Sequence, residues 1–112
     1  MTEDCIFCNI ASKTIGADIV AEDADLMVVQ DILPKAPVHL LVIPKTHIAS
    51  VNELDDAHVD IAGKMILIAR DQARSHGIAE SGYKLIFNTG PDGGQTVKHL
   101  HLHLLGGKAL GE

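Results

Sequence analysis

The chain has 112 residues, of which 46% are hydrophobic, and two Phe and one Tyr are its only aromatic side chains apart from histidine. This length and composition predict one domain, residues 1–112, with an aliphatic core, and exclude a disordered chain. The formal net charge is −6 and no cluster of Lys or Arg occurs, which argues against a nucleic-acid partner. The apolar runs are too short to span a bilayer, and the start Met1-Thr2-Glu3-Asp4 is acidic where a signal peptide is basic. We therefore expect a cytoplasmic protein without a membrane partner.

The predicted elements begin with a short helix capped by Asp4, which carries Ile6, Phe7 and Ile10 on one side. Apolar alternation bounded by turn residues predicts five strands, at residues 18–22, 26–30, 39–43, 83–88 and 100–105. Between the third and fourth strands, apolar spacings of three, four and seven predict a helix from about residue 55 to residue 76, ending before Gly77. The order of helix, three strands, helix and two strands predicts an α+β fold with an antiparallel sheet.

The last predicted strand contains an alternating run, His-Leu-His-Leu-His-Leu-Leu at residues 99–105. Alternate side chains of a strand share a face, so His99, His101 and His103 lie on one face and the leucines on the other. A merely amphipathic surface strand would usually carry Thr, Lys or Glu at these positions. Two functional interpretations remain open here: histidines two apart can share a metal ion, and imidazole near neutral pH is a nucleophile and an acid or base.

A Gly-rich turn directly precedes this histidine row. Gly93 and Gly94 let the backbone approach a ligand closely, and adjoining N–H groups can form a nest for an anion. Gln95 and Thr96 add neutral hydrogen-bonding groups beside it. A Gly-Gly turn alone is more often just a tight loop, but its place before the histidines favours a phosphate cradle.

These residues together resemble the histidine triad (HIT) family. The family motif of three histidines alternating with apolar residues is met by residues 99–105, and the similarity continues at residues 31–32, 39–47 and 93–96. Within the family, the chain is most similar to the Hint-like branch of nucleoside phosphoramidases. The resemblance implies a five-stranded antiparallel sheet with two helices, which forms a homodimer through the long helix and a sheet edge.

The resemblance also implies the reaction, hydrolysis of purine nucleoside 5′-phosphoramidates, with no organic cofactor. In this family, the residue matched by His101 attacks the α-phosphorus and forms a nucleotidyl-histidine intermediate, from which water releases the nucleoside monophosphate. By the same match, His103 binds the phosphate and the leaving group, and Thr96 donates a hydrogen bond to that leaving group. His39 completes the imidazole network and sets the orientation of His101.

The nucleotide-binding residues implied by the resemblance fall into three groups. Asp31 matches the carboxylate that accepts hydrogen bonds from the ribose hydroxyls, although a turn cap before Pro34 explains the same residue. The phosphate oxygens are expected to be held by Asn88 and by the backbone around Gly94, Gln95, Thr96 and Val97. The base pocket is expected to be lined by apolar residues that could equally be plain core, namely Phe7, Ile10, Ile15, Val29, Ile32 and Leu41.

Cys5 and Cys8 form a C-x-x-C pair, and on a helix this spacing places both thiols on one face. Resemblance to bacterial-type HIT proteins with this pair implies a closed structural zinc site, with His47 and His99 as the other two ligands. Free thiols or a redox pair are the alternatives, but a redox C-x-x-C normally follows a strand. Two further histidines, at residues 58 and 76, carry no pattern and are predicted to be surface residues.

Several other functions stay open at this stage. The first is a diadenosine polyphosphate hydrolase or nucleotidyl transferase of the same superfamily. The third triad histidine argues against the transferase, and the short chain argues against the dinucleotide hydrolase. The second is a nucleotide-binding or zinc-stabilised adaptor without significant catalysis. The third is zinc-dependent hydrolysis by the triad itself.

Overall fold

A five-stranded antiparallel sheet organises the computed structural model, which describes residues 5–112. The strands in chain order are β1 (Ile19–Glu22), β2 (Leu26–Gln30), β3 (Val38–Pro44), β4 (Tyr83–Ile86) and β5 (Leu102–Gly106). Their order in space is β1-β2-β3-β5-β4, and each neighbouring pair is antiparallel. With one short and one long α-helix beside this sheet, the predicted α+β fold is confirmed.

The short helix α1 (Ile6–Ala11) begins directly after Cys5, whose Sγ accepts a hydrogen bond from the backbone N–H of Cys8 at 3.4 Å. The predicted cap, Asp4, lies outside the described residues, and Cys5 is the N-cap residue. Phe7 and Ile10 are buried as predicted, whereas Ile6 is exposed. Ile6 lies one residue before Phe7, about 100° away around the helix, so the two side chains cannot share the buried face.

The long helix α2 (Val59–Ser75) begins four residues later than the sequence predicts. Two short 3₁₀ turns, Val51–Glu53 and Asp56–His58, precede it. Asp55 forms a capping box, in which its carboxylate accepts the N–H of Ala57 at 2.8 Å and its own N–H donates to Nδ1 of His58 at 3.0 Å. These local hydrogen bonds compete with α-helical pairing, so the regular helix starts only after them.

The end of α2 agrees with the prediction for Gly77. This glycine has a φ of +73°, and the N–H of Ile78 reaches back to the carbonyl of Ala73 at 3.0 Å. This is the Schellman arrangement, which satisfies the last carbonyls of a helix and favours glycine at the left-handed position. His76 donates from Nδ1 to the carbonyl of Gln72 at 2.9 Å. The two histidines predicted to be plain surface residues are therefore half-buried and bind backbone at the two ends of α2.

The two faces of the sheet carry different layers. On one face, alternate residues of β2, β3 and β5 pack against α2 and bury a core that contains Leu26, Val28, Leu40, Val42, Met65, Leu102 and Leu104. On the other face, α1 covers a smaller cluster that contains Phe7, Ile10, Met27, Val29, Leu41 and Ile43. The register pairs Leu41 with His103 and His39 with Leu105, so the histidines of β3 and β5 emerge beside the smaller cluster.

The structure corrects some predicted strand ends. The last strand begins at Leu102 rather than Leu100, because the N–H of Leu100 donates to the carbonyl of Ile48 at 2.6 Å outside the ladder. The fourth strand ends at Ile86, two residues before the predicted end at Asn88. Between Cys5 and Glu112, neither helix is long and apolar enough to cross a membrane.

Candidate active site

A cleft of about 320 Å³ opens on the sheet face that carries the histidines. Strands β3, β4 and β5 form its floor, and the loops at residues 31–37 and 87–101 form its walls. It is lined by Lys35, His39, Ile86, Asn88, Gly94, Thr96, His101, His103 and Leu105. Six of these nine residues belong to the site predicted from the sequence, while Lys35, Ile86 and Leu105 do not. Leu105 could have been predicted in the cleft, because it lies two residues after His103 and therefore on the same face of the strand. Ile86 could not, because its pairing with His103 follows only from the register between β4 and β5.

His101 is held in one tautomer by the backbone beside it. Its Nδ1 lies 2.7 Å from the carbonyl oxygen of His99, and because a carbonyl only accepts hydrogen bonds, Nδ1 carries the proton. In the neutral ring, Nε2 is then left with a free lone pair. Burial lowers the pKa of His101 below its ordinary value, which keeps the ring neutral at neutral pH. The ring of Phe7 packs edge-on against it, with the centroids 5.0 Å apart.

His39 and His103 form a directional pair. Nδ1 of His39 accepts the backbone N–H of Lys35 at 3.1 Å, so Nε2 carries the proton in the neutral ring. That Nε2 lies 3.0 Å from Nδ1 of His103 and donates to it, which leaves the remaining proton of neutral His103 on Nε2. Burial, with the neighbouring His101 and His39, lowers the pKa of His103 to about 4.

This pairing corrects one expected contact. We expected His39 to set the orientation of His101, but the hydrogen bond of His39 is to His103, and the carbonyl of His99 orients His101. The register between β3 and β5 explains the difference. It places His39 opposite Leu105, and on that face of β5 the histidine nearest to His39 is His103. The rings of His101 and His103 are themselves in contact, with centroids 5.0 Å apart.

Asp31 caps the turn that follows it and also faces the histidines. Its Oδ1 accepts the backbone N–H of Leu33 at 2.8 Å, which is the turn-capping interaction. Its Oδ2 lies 3.4 Å from Nε2 of His39 and therefore faces the histidines. The neighbouring Ile32, expected in the base pocket, is 88% exposed at the rim of the same loop.

The other residues expected around the base differ in exposure. Ile15 is exposed, and the remaining four are buried in the cluster beneath α1, namely Phe7, Ile10, Val29 and Leu41. Val97, expected near the phosphate, packs against the edge of that cluster. An apolar layer therefore lies beside the histidines, with Phe7 in contact with the rings of both His99 and His101.

A side-chain hydrogen bond and the glycine positions fix the conformation of the Gly-rich loop. The side-chain amide of Asn88 donates to the carbonyl of Gly93 at 2.8 Å. A Cβ on Gly93 would overlap the carbonyl oxygen of Thr89, so only glycine fits. Gly94 has a φ of +80°, in the left-handed region that glycine adopts without strain. The backbone thus approaches the cleft closely at the predicted phosphate cradle.

The side chain of Gln95 supports this loop from its other side. Its Nε2 donates to the carbonyls of Ala49 at 2.7 Å and Val97 at 2.9 Å, and its Oε1 accepts the N–H of Gly90 at 2.9 Å. We expected Gln95 to add a hydrogen-bonding group beside the phosphate cradle, but its two amide N–H groups donate to backbone carbonyls, one in this loop and one at Ala49. Thr96, the next residue, lines the cleft instead.

The four predicted metal ligands converge at the start of α1. Their ligand atoms, from Cys5, Cys8, His47 and His99, all lie within 4.8 Å of one another. The Nδ1 atom of His99 lies 3.2 Å and 3.5 Å from the two sulfurs and 3.1 Å from Nδ1 of His47. Bond lengths around tetrahedral zinc imply ligand separations of about 3.3–3.8 Å, and the observed distances of 3.1–3.5 Å lie close to that range.

Hydrogen bonding also suits His99 to a metal. Its Nε2 donates to the carbonyl of Pro44 at 2.7 Å, which leaves the Nδ1 lone pair aimed at the sulfurs. Metal-bound histidines commonly fix their second nitrogen in this way. Burial and the adjacent Cys5 raise the pKa of Cys8 to about 11, so a cation is needed to stabilise the thiolate there. The cluster is compatible with zinc.

A second convergence of ligand atoms suits a cation less well. Asp31, His39 and His103 also bring one ligand atom each within 4.8 Å of the others. The N–H of Lys35, however, fixes the proton of neutral His39 on Nε2, the atom that would have to bind the ion. This group is better described as a hydrogen-bonded chain that orients His103.

Fold and site together define an α+β protein with buried histidines of lowered pKa in a cleft beside a Gly-rich loop. The family described as "Scavenger mRNA decapping enzyme C-term binding" matches residues 4–111. The purine nucleoside phosphoramidase of Escherichia coli (strain K12) is 46% identical over 111 residues, which cover 99% of this chain and 93% of that protein. A HIT-like protein of Synechococcus elongatus is 48% identical over 110 residues, which are 98% of this chain and 96% of that protein.

Solved structures give the same result. The HIT family hydrolase of Clostridium thermocellum superposes with a TM-score of 0.95 at 45% identity, and the match covers 100% of this chain and 97% of that chain. The HIT family hydrolase of Legionella pneumophila superposes with a TM-score of 0.93 at 44% identity, and the match covers 95% of each chain. The chain belongs to the histidine triad family. The predicted family, fold and enzyme class, a hydrolase, are confirmed.

Proposed function

We propose that this protein hydrolyses purine nucleoside 5′-phosphoramidates at the P–N bond. The observation that carries the proposal is the hydrogen bond from Nδ1 of His101 to the carbonyl of His99, which leaves Nε2 free in a cleft beside a phosphate cradle. The name of the Escherichia coli relative, purine nucleoside phosphoramidase, supports the substrate class. The name alone supports purine as the base.

The first step is attack by the lone pair of His101 Nε2 on the α-phosphorus. A bond forms between nitrogen and phosphorus, and the P–N bond to the amine breaks as the amine takes up a proton and leaves. Neutral His103 offers its Nε2–H as a hydrogen-bond donor, and Thr96 lines the same cleft with a hydroxyl. In this proposal, both groups bind the phosphate oxygens or the departing amine as charge develops.

The second step is hydrolysis of the nucleotidyl-histidine. Water adds to phosphorus, the bond to His101 breaks, and the nucleoside monophosphate is released with the imidazole restored. Asn88, Gly94 and the backbone through Val97 hold the phosphate oxygens in this proposal, and Asp31 accepts from the ribose hydroxyls. The partly exposed carboxylate of Asp31, whose Oδ2 lies 3.4 Å from Nε2 of His39, supports that role.

Three further assignments complete the proposal. Zinc, held by the two thiols and the two Nδ1 atoms, is structural and fastens α1 to the loops that carry His47 and His99. A homodimer is supported by exposed apolar side chains on α2, Ile66 and Leu67, and by the unpaired edge of β4. The chain acts as a single domain in the cytoplasm.

The test compares hydrolysis of adenosine 5′-phosphoramidate by the wild-type protein and by His101→Ala. Loss of the nucleophile is expected to lower kcat at least about a hundredfold. Calorimetric titration with AMP checks that the variant still binds nucleotide, and mass spectrometry of acid-quenched wild-type protein checks for a nucleotidyl adduct. His76→Ala, a histidine outside the cleft, is the matched control.

Two outcomes contradict the proposal. A wild-type protein that binds AMP without turnover supports a nucleotide-binding adaptor instead. Faster hydrolysis of diadenosine polyphosphates than of the phosphoramidate supports the dinucleotide hydrolase.

A further inference from the structure

Phe7 lies between the histidine rings of the candidate metal site and those of the cleft. It contacts the ring of His99, a candidate metal ligand, with the centroids 5.7 Å apart. It also contacts the ring of His101, the proposed nucleophile, with the centroids 5.0 Å apart and the ring planes at 72°. Phe7 is only 6% exposed, so little of its ring is free to contact a nucleobase. These contacts favour a role of Phe7 in the arrangement of the histidines.

The place of Phe7 is fixed by its helix and by the cluster beneath it. It belongs to the first turn of α1, between Cys5 and Cys8, where the N–H of Cys8 donates to the sulfur of Cys5. Its side chain packs in the apolar cluster that also contains Met27 and Ile43. Because a close-packed interior holds side chains in defined rotamers, the ring of Phe7 is a rigid surface for its neighbours.

The ring of His101 requires such a surface. Its Nδ1 donates to the carbonyl of His99 at 2.7 Å, which fixes the tautomer. The torsion that turns the imidazole plane, χ2, has a broad potential, and a hydrogen bond tolerates some deviation from linearity. This one bond therefore permits the ring to tilt, and a tilt moves Nε2 off its line of attack. The contact with Phe7 limits that tilt, together with the ring of His103, whose centroid is also 5.0 Å away.

We propose that Phe7 is a positioning residue, whose ring holds the imidazole of His101 in the orientation from which Nε2 attacks phosphorus. The inference rests on the proposed function and adds a residue to it. Attack requires the reacting atoms about 3–3.5 Å apart with their orbitals aligned, so a tilted nucleophile slows the chemical step without weakening the binding of substrate. Removal of the Phe7 ring should therefore act on kcat, and through His101.

The experiment compares the wild-type protein with Phe7→Leu, which keeps an apolar side chain but removes the ring. Phe7→Met is made alongside it, because a flexible thioether fills irregular space and keeps the cluster packed. Met27→Leu, a change in the same buried cluster from β2, is the matched control. The substrates are adenosine 5′-phosphoramidate and D-ribose 5-phosphoramidate, which lacks the base. Zinc content and Tm are measured for every variant, so that loss of metal or of folding is recognised separately.

We expect both Phe7 variants to lower kcat about tenfold, by the same factor for the two substrates, while KM and the affinity for AMP change less than about twofold. Met27→Leu should match the wild type. Carbon-13 relaxation of the ring Cε1–H of His101, measured without substrate, should show more picosecond-to-nanosecond motion in the Phe7 variants. Added to His101→Ala, Phe7→Leu should not lower the residual rate further, because the group that Phe7 positions is then gone.

A loss confined to the adenosine compound, with weaker AMP binding, overturns the inference, because Phe7 would then act on the base. Equal losses of kcat in Phe7→Leu and Met27→Leu overturn it as well, since a general disturbance of the cluster would be the cause. Wild-type ring motion of His101 in both Phe7 variants also contradicts it. The relaxation measurement separates this inference from the proposed function. If the wild-type protein cleaves neither compound but the ring of His101 moves more in the Phe7 variants alone, Phe7 holds that ring and the proposed function fails.

Discussion

The carbonyl oxygen of His99 accepts a hydrogen bond from Nδ1 of His101 at 2.7 Å, while the Nδ1 of His99 faces two thiols. One residue therefore belongs to the candidate metal site through its ring and positions the proposed nucleophile through its backbone. A change in the position of the thiols can therefore shift His99 and, through its carbonyl, the ring of His101. The other contact of the ring, from Nε2 to the carbonyl of Pro44, fixes His99 against β3.

Removal of zinc should destabilise the protein and only then affect catalysis. A ligand that binds only the folded state, at a concentration a thousand times its Kd, raises the free energy of unfolding by about 4 kcal/mol. Chelation of the purified protein should accordingly lower its Tm by more than about 5 °C, measured by calorimetry alongside metal content. Cys8→Ala should show the lower Tm from the start and no further change with chelator. A purified protein without metal, whose Tm is the same with and without chelator, would contradict the assignment.

Substitution of His39 tests the hydrogen-bonded chain that orients His103. His39→Ala removes the donor to Nδ1 of His103, and loss of one such buried hydrogen bond, about 1–2 kcal/mol, should lower kcat by roughly tenfold. His39→Gln retains an amide donor on a side chain of similar reach and should recover part of the rate.

A merely structural role of His39 would leave the tautomer of His103 unaltered. Nitrogen-15 NMR of the ring distinguishes the cases, because wild-type His103 should carry its proton on Nε2 and His39→Ala should show a mixture. If His103 in the His39→Ala variant keeps the wild-type tautomer populations and kcat is normal, then the hydrogen bond from His39 does not orient His103.

Stability should fall as the pH is lowered through the range where only the unfolded chain binds a proton. The pKa of His103 is lowered to about 4, from an ordinary value near 6.5. Between these two values the unfolded state holds the proton and the folded state does not, so the free energy of unfolding decreases as pH falls. Above about pH 7.5 this contribution is constant.

Urea titrations of the wild-type protein and His103→Asn at pH 4.5, 5.5, 6.5 and 7.5 measure that effect. The free energy of unfolding of the wild type should depend more steeply on pH, by up to one proton, between pH 4.5 and 6.5. The comparison with His103→Asn cancels the titration of groups that both proteins share. Identical slopes in the two proteins would show that His103 is not the group responsible.

The sequence predicts the sheet and its faces well, because period-two alternation reports directly on burial. The histidine row shows this most clearly, since its leucines at positions 100, 102 and 104 are buried in the core beneath α2 and the histidines emerge beside α1. The family motifs then supply the chemistry expected of the histidines. Element ends are less predictable, because single hydrogen bonds such as that of Leu100 to Ile48 decide them.

Contacts between distant segments could not be predicted from the residues alone. The partner of His39 depends on the register between β3 and β5, which places it against His103. Lys35 enters the cleft because its backbone N–H binds His39, and a loop lysine gives no sequence signal of that contact. The two amide hydrogens of Gln95 are similarly occupied by carbonyls that only the folded loop brings near.

Gly93→Ala tests whether the Gly-rich loop is the phosphate cradle. An added Cβ overlaps the carbonyl oxygen of Thr89 and comes within 2.9 Å of the Thr89 backbone nitrogen, so the loop must shift. The shift breaks the geometry that Asn88 stabilises through its bond to the Gly93 carbonyl. Because the loop faces the cleft rather than the α2 core, catalysis should suffer more than stability.

We expect the kcat/KM of Gly93→Ala for adenosine 5′-phosphoramidate to fall at least about tenfold, the range for misplaced substrate-positioning groups. The free energy of unfolding should fall by no more than about 1–2 kcal/mol. Gly16→Ala is the control, because its Cβ meets no atom within 4 Å, and it should match the wild type in both measurements. AMP binding by calorimetry should weaken in Gly93→Ala along with kcat/KM, since the same backbone groups hold the phosphate of substrate and product. If Gly93→Ala binds AMP as tightly as the wild type, then this loop does not hold the phosphate.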